Sequence, residues 1–191
     1  MGGTMATNVK EEVLEAARRA AQSRGYAGLN FRELASEVGI KGASIHYHFR
    51  TKADLGVAVA RRYWEASDAT LQEMWERYPD PKEWLRHYPS TFRQSLENDN
   101  RICLCSFMSA EHDDLPEPVK AEVQAFADVN IKWLTKAVSA TTGMDHNDSA
   151  RRARSIFAAV SGAQLMARSR ADISVFDSLI EDYRHSGLLP G

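Results

Sequence analysis

Apolar residues recur along most of this chain at three- and four-residue intervals, the period of helices buried on one face. Val13, Ala16, Ala17, Ala20 and Ala21 form one such stripe, and Asn8 with Glu11 makes a capping box ahead of it. The spacing predicts a helix over Val9–Arg24, closed by Gly25 as a residue that tolerates left-handed backbone. Asn30 with Glu33 is a second capping box, opening a helix that ends near Gly39. Thr51 with Asp54 is a third, opening a long helix over Lys52–Tyr78. Asp80-Pro81 pairs an N-cap with a proline at the first helical position and predicts a helix reaching Glu97. Asn98-Asp99-Asn100 breaks it, Cys103–His112 reads as a short apolar helix, and Leu115-Pro116-Glu117-Pro118 breaks the chain again. A long amphipathic helix to Ala140, a polar loop over Thr141–Asn147, and helices over Asp148–Ser169 and Ser174–His185 complete the pattern. No period-two alternation appears, so the expected fold class is all-α, with about nine helices.

Composition narrows the class further. The 191 residues are 43% hydrophobic, enough for a real core. No apolar run approaches the ~18 residues of a membrane span. The first residues lack a charged region followed by an apolar stretch, so no secretory signal is expected, and Met1–Thr7 reads as a loose tail. Cys103 and Cys105 are too close to pair readily with each other, which fits a reducing cytoplasm. The net charge of −2 hides an asymmetry: residues 9–62 carry an excess of four positive charges, and the rest of the chain an excess of six negative ones. A basic head on an acidic body suits a protein that meets phosphates with one end only. There is no nucleophile–base pair, glycine-rich phosphate loop or metal-ligand spacing, so neither an enzyme, a cofactor nor a metal site is expected. His46 and His48 do not make a metal pair, because residues two apart on a helix point some 200° away from each other.

The stretch GYAGLNFRELASEVGIKGASIHYHFRTKADL, residues 25–55, carries the candidate chemistry. A short helix, a turn at Gly39 and a second short helix over about Gly42–Phe49 are the parts of a helix-turn-helix DNA reader. Phe31, Leu34, Ala35, Val38, Ile40, Ile45 and Phe49 are its expected buried pins. Gly42, Ala43 and Ser44 are small enough to let the second helix approach the major-groove floor, and Lys41, Ala43 and Ser44 are the nominees for base contact. His46, Tyr47 and His48 would stand at the groove walls within reach of phosphates. Asn30 offers a side chain and a helix N-terminus, with Arg32 in the same first turn. Lys52 opposes the dipole of the helix it opens, a cost that a phosphate partner would explain.

Gly25-Tyr26, Asn30, Leu34-Ala35, Gly39, His48-Phe49, Lys52 and Leu55 together resemble the N-terminal domain of the TetR family of bacterial transcriptional regulators. The resemblance covers about residues 9–60. The usual first tyrosine of the family pattern falls on His46, with Tyr47 directly after it, so the phosphate contact belongs to His46, to Tyr47 or to both. Arg50 stands where a proline is common and adds another candidate contact. The string SIHYHF-x-x-KADLG is similar to one subgroup of the family.

The resemblance implies a helix-turn-helix domain over residues 8–54, and a ligand-binding and dimerisation domain over 55–187. It implies a homodimer on double-stranded pseudo-palindromic operator DNA, released by an unknown small-molecule effector, with no membrane partner. Trp64, Trp84, Tyr88, Phe92, Cys103, Phe107, Met108, Phe126 and Trp133 are candidate pocket walls, with Asn130 and Glu111 as polar groups. Each of the apolar ones reads more readily as core than as pocket wall, and Trp75 reads as packing near a helix end. Glu111-His112-Asp113-Asp114 is better read as an exposed acidic loop than as a metal site. Some TetR-type regulators sense electrophiles through a cysteine near the start of the sixth helix, where Cys103 falls. Thiol sensing through Cys103 is therefore one alternative function, and an architectural DNA binder without ligand is another. Small residues along Ala153, Ile156, Phe157, Ala159, Val160, Ala163, Gln164 and Ala167 permit close helix approach. With Ile173, Phe176, Leu179, Ile180 and Tyr183 they would form a four-helix dimer core. Within that set Phe157, Val160, Gln164, Ala167, Phe176 and Ile180 are the interface nominees; the other reading of the stripe is packing within its own chain.

Overall fold

A computed structural model describes the backbone of residues 3–191 and side chains from Val9 onward. The described residues form ten α-helices: α1 Gly3–Arg24, α2 Phe31–Val38, α3 Gly42–His48, α4 Lys52–Arg77, α5 Pro81–His87, α6 Ser90–Glu97, α7 Leu104–Ala110, α8 Glu117–Thr142, α9 His146–Arg170 and α10 Ile173–His185. Single 3-10 turns follow α1 (Tyr26–Gly28) and α7 (His112–Asp114), and the described residues contain no strand. The all-α expectation holds.

Three boundaries differ from expectation. Helix α1 runs from Gly3 through the position of Asn8, whose side chain, with the capping box expected there, lies outside the described residues. The helix expected over 81–97 is two, α5 and α6, separated at Tyr88-Pro89. Proline has no N–H to donate, and its ring crowds the carbonyl four residues earlier. Helix α9 starts at His146 because Asp145 caps it, accepting from Asp148 N at 2.9 Å.

The chain divides into two compact units. The first comprises residues 1–64 and 104–124, so it includes α7 and the start of α8. Val13, Ala16, Ala17, Ala20 and Ala21 are all buried, and α1 packs on α2, α3 and α7. Leu34, Ala35, Ile45 and Phe49 are buried as expected, but Phe31, Val38 and Ile40 are only half-buried. Phe31 sits at the first position of α2 with its ring 4.9 Å from that of His46, at the rim of the unit rather than in its core.

The second unit comprises residues 65–103 and 125–191. Helix α9 packs on α10 and α6. The interface nominees Val160, Gln164, Ala167, Phe176 and Ile180 are at most 4% exposed in the single chain. Phe157, the sixth, is half-buried with its ring near those of Phe92 and Phe126. In the single chain these residues pack within their own unit. Gln164 is the clearest case, because its Nε2 donates to Phe92 O at 2.6 Å and its Oε1 accepts from Cys103 N at 2.9 Å. The amide is a strut that ties the backbone of α6 to the segment before α7.

Candidate nucleic-acid interface

Local backbone chemistry places the reader. Asn30 is extended and caps α2, its Oδ1 accepting from Arg32 N at 3.0 Å and Glu33 N at 3.2 Å. The return half of the expected capping box is not made: the Asn30 N–H donates to Gly28 O at 2.9 Å, and the Glu33 carboxylate pairs with Arg24 at 2.7 Å. Gly39 closes α2 in the left-handed conformation, φ 74°, and the chain turns into α3. One apolar residue, Ile45, is fully buried on α3 and pins it, while Phe49 is buried just past its end. Thr51 and Asp54 complete a reciprocal box at the head of α4, with bonds of 2.9 and 3.1 Å.

This arrangement leaves α3 largely bare. Lys41, Gly42, Ala43, His46 and Tyr47 are exposed, Tyr47 by 80%, and Ser44 and His48 are half-buried. Beside α3 lies a hollow of about 400 Å³ lined by Leu29, Asn30, Phe31, Arg32, His46, Arg50, Thr51 and Lys52. It brings three cations and a histidine together with no carboxylate in the lining. Neighbouring Arg19, Arg24 and Arg62 pair with Glu37, Glu33 and Glu11. Among the described residues, no such pair engages Arg32, Lys41, Arg50 or Lys52. Lys52 Nζ lies instead 4.4 Å from the centre of the Tyr26 ring. Lys41 stands at the opposite end of α3 and does not line the hollow.

The expected pocket residues separate. Trp64, Phe107, Met108 and Glu111 belong to the first unit. There Trp64 Nε1 donates to Glu122 Oε2 at 2.8 Å, Met108 is core, and Glu111 accepts from Tyr26 N at 2.6 Å. Trp84, Tyr88, Phe92, Cys103, Phe126, Asn130 and Trp133 belong to the second. Trp75 is the hub of their aromatic cluster, stacked on Trp84 at 4.1 Å and edge-on to Trp133 at 5.5 Å. Tyr88 lies parallel to Trp133 at 5.8 Å and donates its hydroxyl to Asn130 Oδ1 at 3.0 Å. Complete burial pushes that hydroxyl well above the usual tyrosine range, so it stays a neutral donor. Cys103 and Cys105 are each 1% exposed. A further open hollow of about 780 Å³ lies along α8 and the start of α9, edged by Ile131, Lys132, Thr135, Lys136 and His146.

A short, exposed second helix beside a cluster of unneutralised cations defines a helix-turn-helix DNA-binding unit. Known proteins of similar sequence and fold carry the same kind of unit. A family model described as "Bacterial regulatory proteins, tetR family" matches residues 13–59. A TetR transcriptional regulator from Legionella pneumophila superposes with a TM-score of 0.87 at 28% identity, over 93% of this chain and 96% of that one. A TetR-family regulator from Agrobacterium tumefaciens gives 0.88 at 26% identity, over 95% and 98%. The HTH-type transcriptional repressor NemR of Escherichia coli K12 is 26% identical over 136 residues, 69% of this chain and 67% of that protein. Residues 13–59 therefore match the TetR-family model, and the chain as a whole is similar to TetR-family regulators. No described helix is long and apolar enough to cross a membrane.

Glu111 and Glu122 escaped the sequence reading as parts of the reader unit, and Tyr26 entered it only through the Gly25-Tyr26 turn. The partners of both carboxylates lie far along the chain.

Proposed function

We propose that the protein is a one-component repressor that binds a pseudo-palindromic operator as a homodimer and is released by a small molecule held in its second unit. The observation that carries the DNA half is the hollow in which Arg32, Arg50 and Lys52 meet beside exposed α3. Two such readers, spaced by multiples of ~34–36 Å, match two half-sites. In this reading Gly42, Ala43 and Ser44 approach base edges while His46, Tyr47, His48, Arg50 and Lys52 hold phosphates. Residues 8–54 read DNA, and residues 55–187 sense and dimerise. Repression is supported by the likeness to NemR, a repressor by name.

Dimerisation is assigned to the face of α9 turned away from its own core. Leu165 and Met166, 59% and 44% exposed, lie there with the exposed small residues Ala158 and Gly162. The aromatic cluster around Trp75, Trp84 and Trp133 supplies the apolar wall that an effector would meet. Helices α4 and α8 each contribute residues to both units and give an effector a path to the reader. Coupling must be reciprocal, so operator DNA weakens effector affinity by the factor with which effector weakens DNA. The burial of Cys103 and Cys105 does not favour the thiol-sensing alternative, which needs access.

The deciding experiment is a salt series on a duplex recovered by the protein from a random-sequence pool. Lys52→Ala should weaken binding to all sequences and lower the slope of log K against log salt by about 1. An unchanged slope would remove Lys52 from the interface. A panel of small aromatic compounds, titrated with and without that duplex, tests the coupling. Equal affinity in both arms for every binder ends the effector-release reading.

A further inference from the structure

Two distant parts of the first unit meet at Tyr26, one at its backbone and one at its ring. Its backbone N–H donates to Glu111 Oε2 at 2.6 Å, a carboxylate brought from just past α7. That carboxylate fills the space beside Gly25, where a Cβ would lie 2.1 Å from Oε2. The backbone of Gly25, φ 64° and ψ −155°, is of a kind essentially restricted to glycine, and it differs from the αL helix end expected there. The Tyr26 ring then crosses α4 where Gly56 has no side chain. A Cβ at Gly56 would meet the ring at 2.9 Å and Val119 of α8 at 3.0 Å. With its backbone held by Glu111 and its ring laid against α4 at Gly56, the half-buried Tyr26 presents the ring face to Lys52 Nζ at 4.4 Å.

We infer that Tyr26, held by Glu111, is a positioning residue for DNA binding: its ring keeps the Lys52 ammonium aimed into the phosphate-binding hollow. This rests on the reading that Lys52 contacts phosphate. Lysine is a flexible four-carbon stem and loses much rotamer freedom when it binds. At the first turn of a helix it also meets the wrong end of the dipole. The face of an aromatic ring answers both costs in the absence of DNA, since it attracts the cation and restricts the stem. The ring covers one side of the ammonium and leaves its other donors for phosphate oxygens. Burial raises the Tyr26 phenol, so the ring stays neutral near pH 7.

The test compares Tyr26→Leu, Tyr26→Phe, Glu111→Ala and Glu111→Gln, alone and with Lys52→Ala, on the same selected duplex. Tyr26→Leu should lower affinity about two- to tenfold and reduce the salt slope by up to about 1. Tyr26→Phe keeps the ring and should match the parent protein. Adding Tyr26→Leu to Lys52→Ala should cost nothing further. Glu111→Ala should show part of the Tyr26→Leu loss, and Glu111→Gln, which keeps an acceptor, should restore it. NMR supplies the second readout: ring-current upfield shifts of the Lys52 ε-protons should survive Tyr26→Phe and vanish in Tyr26→Leu. If Lys52→Ala lowers the slope while Tyr26→Leu does not, the positioning role is refuted and the DNA reading stands. Losses that persist in the Lys52→Ala background refute it equally. If Lys52→Ala itself leaves the slope unchanged, both readings fall.

Discussion

Gln164 allows the packing of α9 to be tested apart from self-association. Replacing it with methionine keeps the volume and removes both hydrogen bonds. The residue is 1% exposed, so water cannot easily replace them. Cys103 N and Phe92 O, now bonded at 2.9 and 2.6 Å, would each lose a partner. Phe92 O lies inside α6 and keeps its place in the helix ladder, so the cost falls mainly on Cys103 N and comes to about 2 kcal/mol, within the ~1–3 kcal/mol of one lost buried partner. In a chain of 191 residues this lowers Tm by roughly 4–8 °C. Thermal unfolding followed by circular dichroism measures that shift, and sedimentation equilibrium measures the dimer. The expected outcome is a lower Tm with an unchanged dimer dissociation constant. An unchanged Tm with weakened self-association would place Gln164 on a partner-facing surface and refute the reasoning.

Three further outcomes follow from named contacts. Gly25→Ala forces a glycine-only backbone onto an L-residue and drives a methyl group into the Glu111 carboxylate, so urea denaturation should show a loss of about 2–4 kcal/mol. The Arg61 guanidinium, and to a lesser degree the Trp64 indole, hold the Glu122 carboxyl below the usual range against the opposing pull of burial. A carboxyl depressed in the folded state contributes stability in full above its unfolded pKa, near 4.3, and loses it as pH falls through the folded value. Glu122→Gln should therefore be less stable at pH 7 and lose less on acidification below about pH 4, and an acid limb as steep as the parent's would contradict that assignment. Leu165→Arg places a charge on the bare face of α9, 59% exposed at that residue, and should yield monomer in sedimentation without lowering monomer helicity; an intact dimer would move the interface elsewhere.

How far the reader was legible depends on the range of each interaction. Asn30, Thr51, Asp54 and Asp80 bond to backbone groups two or three residues away, so their caps are written in adjacent letters. Glu33 is a local expectation that failed, with Arg24 of α1 taking its carboxylate and Gly28 O taking the Asn30 N–H. The site's second layer was invisible for the opposite reason, since Glu111 lies 85 residues from the N–H it binds. Composition nominated Glu111 for an effector pocket, because a carboxylate among aromatics looks alike wherever the chain takes it.

By itself the sequence determined the all-α class, most helix ends and the identity of the DNA-reading segment. Helix caps, turn glycines and the 3.6-residue period act within a few residues and need no fold to be read. Tertiary structure alone decided which apolar face of α9 is buried within the chain. Val160, Ala163 and Ala167 alternate with Leu165 and Met166 around the helix, and periodicity groups residues by face without saying what covers each face. It alone decided, too, that the carboxylate just past α7 would fix the ring beneath Lys52. Contacts between segments far apart in sequence form only once the core has offset the entropy of bringing them together, and no local pattern encodes them.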